Sequence, residues 1–206
     1  MKDLIIIGGG CLARIAIDMI EEFYNDEYRV TGYVALEKSE DIKNYEYLGN
    51  DEILEEYSGR IKYALNCVGT DKNNTIRRKI YDKIVFLNYE TINLVDPSAR
   101  ISRDMILGNN VIIMKNVSIG ISVKIGDNVI IYSNSNIDHD CIIGAHSHIC
   151  PGVIMAGNVR IGSGVFLGIG SVVSNKIQIG ENAIVGAGAV VIKNIESDEI
   201  YKNFRK

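Results

Sequence analysis

From Val95 onward every sixth residue of the chain is aliphatic. The series runs through Ile101, Leu107, Ile113, Ile119, Ile125, Ile131, Ile137, Ile143, Ile149, Met155, Ile161, Leu167, Val173, Ile179, Val185 and Val191, with no insertion or slip. A hexapeptide period of this kind is the sequence mark of a parallel β-helix, in which each coil stacks on the last and the aliphatic ladder becomes one continuous core. The fourth residue after each ladder position also tends to be small or aliphatic, as at Val111, Val117, Val123, Val129, Ser135, Cys141, Ser147 and Val153. Both positions are expected to point inward, which makes Cys141 a small core residue. Every third ladder position is followed by glycine, at Gly108, Gly126, Gly144, Gly162 and Gly180. That finer repeat predicts three hexapeptides per coil. It also predicts one corner whose backbone conformation favours glycine.

The first ninety residues or so follow another rule. "DLIIIGGG" reads as a buried strand running into a glycine turn. "CLARIAIDMIEEFY" has apolar residues at helical spacing, at Leu12, Ile15, Ala16, Met19, Ile20 and Phe23. "YRVTGYVAL" is a second strand, "NDEILEEY" a helix with Asn50 as N-cap, "IKYALNCVG" a third strand, "NNTIRRKIYDKI" another helix and "IVFLNYE" a fourth strand. This alternation predicts a small Rossmann-like parallel sheet of about four strands with helices packed on it. The expected boundaries are an α/β domain over residues 1–92 and a parallel β-helix over residues 93–206. Gly8, Gly9, Gly10, Cys11, Leu12 and Ala13 fit G-x-G-x-x-A between a strand and a helix, where glycines let backbone amides approach a phosphate. A tight turn without a ligand is the alternative. Full dinucleotide binding is disfavoured by the short sheet and by Val34-Ala35-Leu36, which offers no acidic ribose partner.

Composition closes several routes. A net charge of -4 gives no reason to expect a nucleic-acid or anionic-membrane partner. The cysteines, Cys11, Cys67, Cys141 and Cys150, form no C-x-x-C pair and read as reduced thiols. No apolar run approaches the roughly 20 residues of a membrane span. "MKDLIIIGGG" reads as a strand rather than a leader, so the expected location is cytoplasmic.

All three histidines fall in one short stretch, "NIDHDCIIGAHSH", as His139, His146 and His148. In the hexapeptide frame none is a core position, and all three are expected to face outward. Three on one coil, with Asp138 and Asp140 beside the first, point to a site rather than to chance on a polar face. Imidazole is the side chain best suited to take a proton near neutral pH, and an adjacent carboxylate fixes its tautomer.

The glycine-rich start, "NLVDPSARIS" at the junction, the ladder and "NIDHDCIIGAHSHICPGVIMAGNVRIG" together resemble the bacterial hexapeptide sugar acetyltransferases. Within these the nearest resemblance is to the amino-sugar N-acetyltransferase and sialic acid O-acetyltransferase family. The resemblance implies a left-handed β-helix, a homotrimer, and acetyl-CoA bound between neighbouring subunits as co-substrate. It also implies a nucleotide-linked sugar against the N-terminal domain. His139 resembles the family's general base and Asp140 its acidic partner. His148 resembles the histidine near the acetyl group, and Gly157 the glycine whose amide faces the thioester oxygen. Ala187 falls among the cofactor contacts, and the turn from Gly8 to Cys11 resembles the sugar-nucleotide loop. The chain departs from the family pattern at Ala35, where many relatives have aspartate, at Tyr132, where asparagine is common, and at Asp96 in place of a junction histidine. Its tail, "IESDEIYKNFRK", lacks a G-x-P-A-K close.

The favoured expectation is acetyl transfer from acetyl-CoA to the amino group of a nucleotide-linked amino sugar. O-acetylation of sialic acid or a related sugar is the nearest alternative. A zinc lyase of the gamma carbonic anhydrase type shares the helix and would use three histidines across a subunit interface, but "DHDC" fits a base better than a ligand set, so no metal site is expected. A noncatalytic sugar-binding module is a third reading.

Overall fold

The computed structural model of the chain describes residues 1–69 and 74–202. The described residues form two compact units, one of residues 1–69 and 75–94, the other of Asn74 and residues 95–202.

The first unit is a five-stranded parallel sheet. Its strands are β1 (Lys2–Ile7), β2 (Tyr28–Val34), β3 (Tyr47–Gly49), β4 (Tyr63–Asn66) and β5 (Glu90–Thr91), in the order β3-β2-β1-β4-β5. The apolar run of β1 is buried on both faces, as expected of a central parallel strand. Ile5 and Ile7 join a cluster with Val34, Leu54, Tyr81 and Ile84. By the alternation of a strand, Leu4 and Ile6 turn to the opposite face. Helix α1 (Cys11–Phe23) packs on β1 and β2 through the stripe Leu12, Ala13, Ala16, Ile17, Met19 and Ile20. Asn50 accepts a hydrogen bond from the Glu52 amide and caps a short 3-10 turn that leads into α2 (Leu54–Tyr57).

Two expectations need correction here. "IVFLNYE" is not a strand over most of its length: α3 runs Thr75–Phe86 and takes in Ile84, Val85 and Phe86. Arg77, Tyr81 and Ile84 bury one helical stripe, and the helix ends only where Asn88 enters the left-handed region at φ 60°. The Asn88 amide donates to the Val85 carbonyl and the Tyr89 amide to the Ile84 carbonyl, the bond pair of a Schellman closure. The short strand β3 went unpredicted, because three residues carry no period. Residue 73, with which the predicted third helix opens, lies outside the described residues, as do residues 203–206 of the tail.

The second unit is a left-handed parallel β-helix. Its two-residue strands form three faces. The first face starts at Leu94–Val95 and has seven strands, the second starts at Arg100–Ile101 and has six, and the third starts at Ile106–Leu107 and has five. Partners across coils are eighteen residues apart, as Ser118 with Asn136, Lys124 with Ile142 and Ile130 with His148, until the last coil, where Ile184 pairs with Ile200. From Ile113 to Val191 every ladder residue is at most 3% exposed. Each such side chain contributes roughly 1.5–3 kcal/mol of burial. Cys141 is fully buried in this core, as expected, and its thiol donates to the Ala156 carbonyl. Ser135 and Ser147 donate in the same way to the carbonyls of Cys150 and Gly162.

The glycine column does not do what its periodicity suggests. The left-handed backbone lies at the fourth position of every hexapeptide from Asn110 to Gly188, with φ between 55° and 71°. Asn, Ser, Asp, His, Lys and Gly fill those corners, and Asn and Asp tolerate this region through local hydrogen bonds. Gly108, Gly126, Gly144, Gly162 and Gly180 do not have positive φ. They are glycine because the next coil passes too close for a side chain. A Cβ at Gly126 would stand 2.6 Å from the Ala145 amide nitrogen, and one at Gly162 2.7 Å from that of Glu181.

Candidate active site

The histidines lie on one coil but not in one place. His139 sits at the corner between the second and third faces, following the strand Asn136–Ile137. Its side chain is 48% exposed and that of Asp140 50% exposed. The ring Nδ1 lies 2.7 Å from Asp140 Oδ2. A carboxylate only accepts, so Nδ1 carries the proton and Nε2 presents its lone pair. The backbone amide of His139 donates to Asp138 Oδ1 at 2.8 Å. The bond to Asp140 is the main reason that the imidazole pKa is raised above the usual histidine value, with the charges of Asp138 and Asp140 adding to it. Asp140 occupies a left-handed corner at φ 58°, which turns its carboxylate back onto the preceding ring.

His146 and His148 do not face solvent. Both are buried, although neither belongs to the core of the helix: His148 keeps the outward column of the first face, below Phe166, and is covered by its ring neighbours. His146 takes the left-handed corner between the third and first faces, at φ 63°. There it continues a column: Asn110 Nδ2 donates to Asn128 Oδ1, and Asn128 Nδ2 lies 3.0 Å from His146 Nδ1. The six-residue frame marks this position as a corner but not as a buried one. His148 belongs to a strand of the first face, His148–Ile149. Its ring is sandwiched between Tyr132 and Phe166, with centroids 4.9 Å and 5.1 Å away. Phe166 was missed in the sequence, although it stands eighteen residues after His148 and so directly above it. Among the described residues, no group of three or more His, Cys, Asp or Glu side chains is arranged to hold a metal ion.

Gly157 lies one full coil after His139, at the same corner, and the two are in contact. A Cβ at Gly157 would lie 2.5 Å from His139 Nε2. Ala187 is exposed in the turn after the strand Ile184–Val185, at the corner between the first and second faces. One chain therefore brings His139, Asp140 and Gly157 together and leaves His148 and Ala187 on other sides of the prism.

In the first unit the glycine turn joins β1 to α1. Gly8 has φ 131°, and a Cβ there would stand 2.5 Å from the Cys67 carbonyl oxygen, so glycine lets the ends of β1 and β4 close up. Around Gly10, by contrast, nothing lies within 4 Å of a Cβ position. Gly10 is the N-cap of α1 and no side chain caps the helix. A cleft of about 350 Å³ opens here, bounded by the glycines, Val34, Ala35, Leu36 and Ile76. It lies at the carboxyl ends of β1 and β4, where the strand order reverses, the usual ligand crevice of an open parallel sheet. Cys11, the first residue of α1, is an exposed free thiol outside the lining of this cleft, while Cys67 lines it and burial pushes its thiol up to about 12.

Residues 122–157 and 158–193 match the bacterial transferase hexapeptide (six repeats) family. In structure the chain is similar to PerB from Caulobacter crescentus in complex with CoA and GDP-perosamine. Identity is 30% and the TM-score 0.84, over 96% of this chain and 92% of that one. It is also similar to the acetyltransferase domain of PglB from Neisseria gonorrhoeae in complex with acetyl coenzyme A, at 26% identity and a TM-score of 0.82, over 95% and 93% of the two chains. WeeI from Acinetobacter baumannii shares the fold at 16% identity and a TM-score of 0.67, over 96% and 95%. No curated protein matches in sequence.

Proposed function

This chain belongs to the bacterial hexapeptide-repeat sugar acetyltransferases, and from that premise we propose that it transfers the acetyl group of acetyl-CoA to the amino group of a nucleotide-linked amino sugar. The observation that carries the chemistry is the pairing of His139 Nδ1 with Asp140 at an exposed corner, which leaves Nε2 as a proton acceptor. Nε2 takes the proton of the amine as its nitrogen forms a bond to the thioester carbonyl. Asp140 steadies the resulting imidazolium. The amide of Gly157, beside Nε2, is the donor we assign to the developing oxyanion. On collapse the carbon–sulfur bond breaks, and the imidazolium returns its proton to the departing thiolate.

His148 and Ala187 serve the cofactor in this reading, and they reach His139 only if a neighbouring subunit supplies them. We therefore take the working enzyme to be a homotrimer. The cleft at Gly8, Gly9 and Gly10, with Cys11 beside it, would hold the nucleotide. Its glycine-lined mouth admits a diphosphate close to the backbone, and its apolar walls suit a base. The GDP-perosamine bound by the Caulobacter protein supports this substrate class.

The test is release of CoA thiol from acetyl-CoA across a panel of nucleotide-linked amino sugars, free amino sugars and sialic acids. The expected outcome is turnover with a nucleotide amino sugar, lowered roughly a hundredfold or more by His139→Ala, the usual scale for a general base. Acetylation of free sialic acid with no nucleotide binding at millimolar UDP or GDP overturns the substrate class in favour of O-acetylation.

A further inference from the structure

Glycine at 157 has no conformational explanation. Its φ lies outside the left-handed region, so a side chain would be compatible with the backbone. The space a side chain would enter is already taken by a neighbouring ring. The three atoms nearest a Cβ at this position all belong to the His139 ring: Nε2 at 2.5 Å, Cε1 at 2.6 Å and Cδ2 at 3.0 Å. Real Cβ atoms do not approach other atoms so closely, so even alanine would have to displace the ring. The backbone on both sides is pinned. The Asn158 amide donates to the His139 carbonyl at 2.9 Å, and the Lys176 amide to the Gly157 carbonyl at 3.1 Å. The coils cannot part, and the ring must be the element that moves. It is tethered at its other nitrogen by the 2.7 Å bond to Asp140. Swinging Nε2 clear of a methyl group would turn Nδ1 away from that carboxylate.

We propose that Gly157 is a positioning residue for His139, its missing side chain forming the seat on which the imidazole lies while it pairs with Asp140. The proposal rests on the acetyltransferase reading for its consequence in catalysis, and on geometry alone for the seat itself. It is separate from any contact that the Gly157 amide makes with the thioester. The charged groups acting on the ring are Asp140 and Asp138 on its own coil. The neighbouring coils present Gly157 on one side and Ile121 on the other, and neither titrates.

The experiment combines Gly157→Ala with His139→Ala and reads two quantities. The first is kcat with saturating acetyl-CoA. Gly157→Ala is expected to lower it about a hundredfold, the effect of misplacing a reacting group by an ångström. In the His139→Ala background, where the ring no longer occupies the space, adding Gly157→Ala should lower the residual rate by at least about tenfold less than it does with the ring in place, and what loss remains reports the contact of the Gly157 amide with the thioester. The second is the titration of His139 followed by NMR on histidine-labelled protein. The raised pKa should fall toward 6.5, the ordinary imidazole value, in Gly157→Ala. An equal loss of rate in both backgrounds, or an unmoved His139 titration, overturns the proposal. If Gly157→Ala does not fold while the double variant does, the clash lies at the ring and the proposal stands; if neither folds, it fails. Should the wild type transfer no acetyl group at all, the functional reading fails, and the titration still decides the seat.

Discussion

Among the ionisable side chains of the β-helix, His139 joins a partner, an exposed position and a defined lone pair. Its pKa is raised, first by the hydrogen bond to Asp140 and then by the two neighbouring carboxylates. A raised folded pKa means that the protonated ring favours the fold. That contribution is complete below the unfolded pKa and lost as pH rises through the folded one. The base works in the neutral form, so catalysis and this small stabilisation occupy opposite ends of the titration. We expect kcat/KM to rise with pH and to reach half its plateau above 6.5. In Asp140→Asn the half-point should move down toward that value, with a plateau lower by roughly tenfold. A half-point that stays in place when the carboxylate is removed would show that another group sets the limb. This pair was legible in the sequence because adjacent residues at an outward position meet whatever the fold does beyond them. For the other two histidines the frame gave positions off the core but not their burial. Closeness along the chain says nothing about which side of a coil a residue takes. His146 fell to a buried corner column with Asn128, and His148 into a ring stack with Tyr132 and Phe166.

At the scale of the element, two kinds of glycine separate that look alike in the sequence. Gly144 belongs to the column where the next coil blocks a side chain: the nearest atoms are the backbone of Gly162 and Ser163. Gly188 sits at a left-handed corner, φ 67°, with open space around it. Gly144→Ala should therefore cost about 1–3 kcal/mol, as overpacking does, while Gly188→Asn should be close to neutral, since asparagine enters the left-handed region readily. Thermal unfolding of the two variants checks this, and equal losses would contradict the division. The ladder was legible because stacking repeats one demand at a fixed interval. The glycine column was visible too, but its cause was not. A period reports that a position is constrained, without telling a close approach from a backbone angle. In the α/β unit the limits of legibility lay at ends. The "IVFLNYE" segment carries β-branched and aromatic residues that suit a strand, yet α3 runs on through Phe86 because Tyr81 and Ile84 keep its stripe buried and Asn88 supplies the closing turn.

On the whole molecule, apolar side chains lie outward in two stripes. Ile154, Val172 and Val190 follow one another up the second face, and Phe166, Ile184 and Ile200 up the first. Ile154, Val190 and Ile200 are exposed in the single chain, as is Ile169 at the corner between those two faces. Contiguous apolar patches of this kind mark association surfaces. The same corner carries Ala187, and the first face carries His148, while His139 waits at the corner opposite. A three-fold arrangement that buries the stripes gives each His139 a neighbour's first face, which a single prism cannot do. We expect light scattering at micromolar concentration to give three times the 22.8 kDa chain mass. Val190→Asp, three coils from His139 and 43% exposed in the chain, should lower that mass toward a single chain with the far-ultraviolet spectrum unchanged. Acetyl transfer should fall with it by about a hundredfold, because reactants lose the surface that aligns them. A wild-type monomer with full turnover would break the argument at its base, since His139 would then be acting without any partner surface.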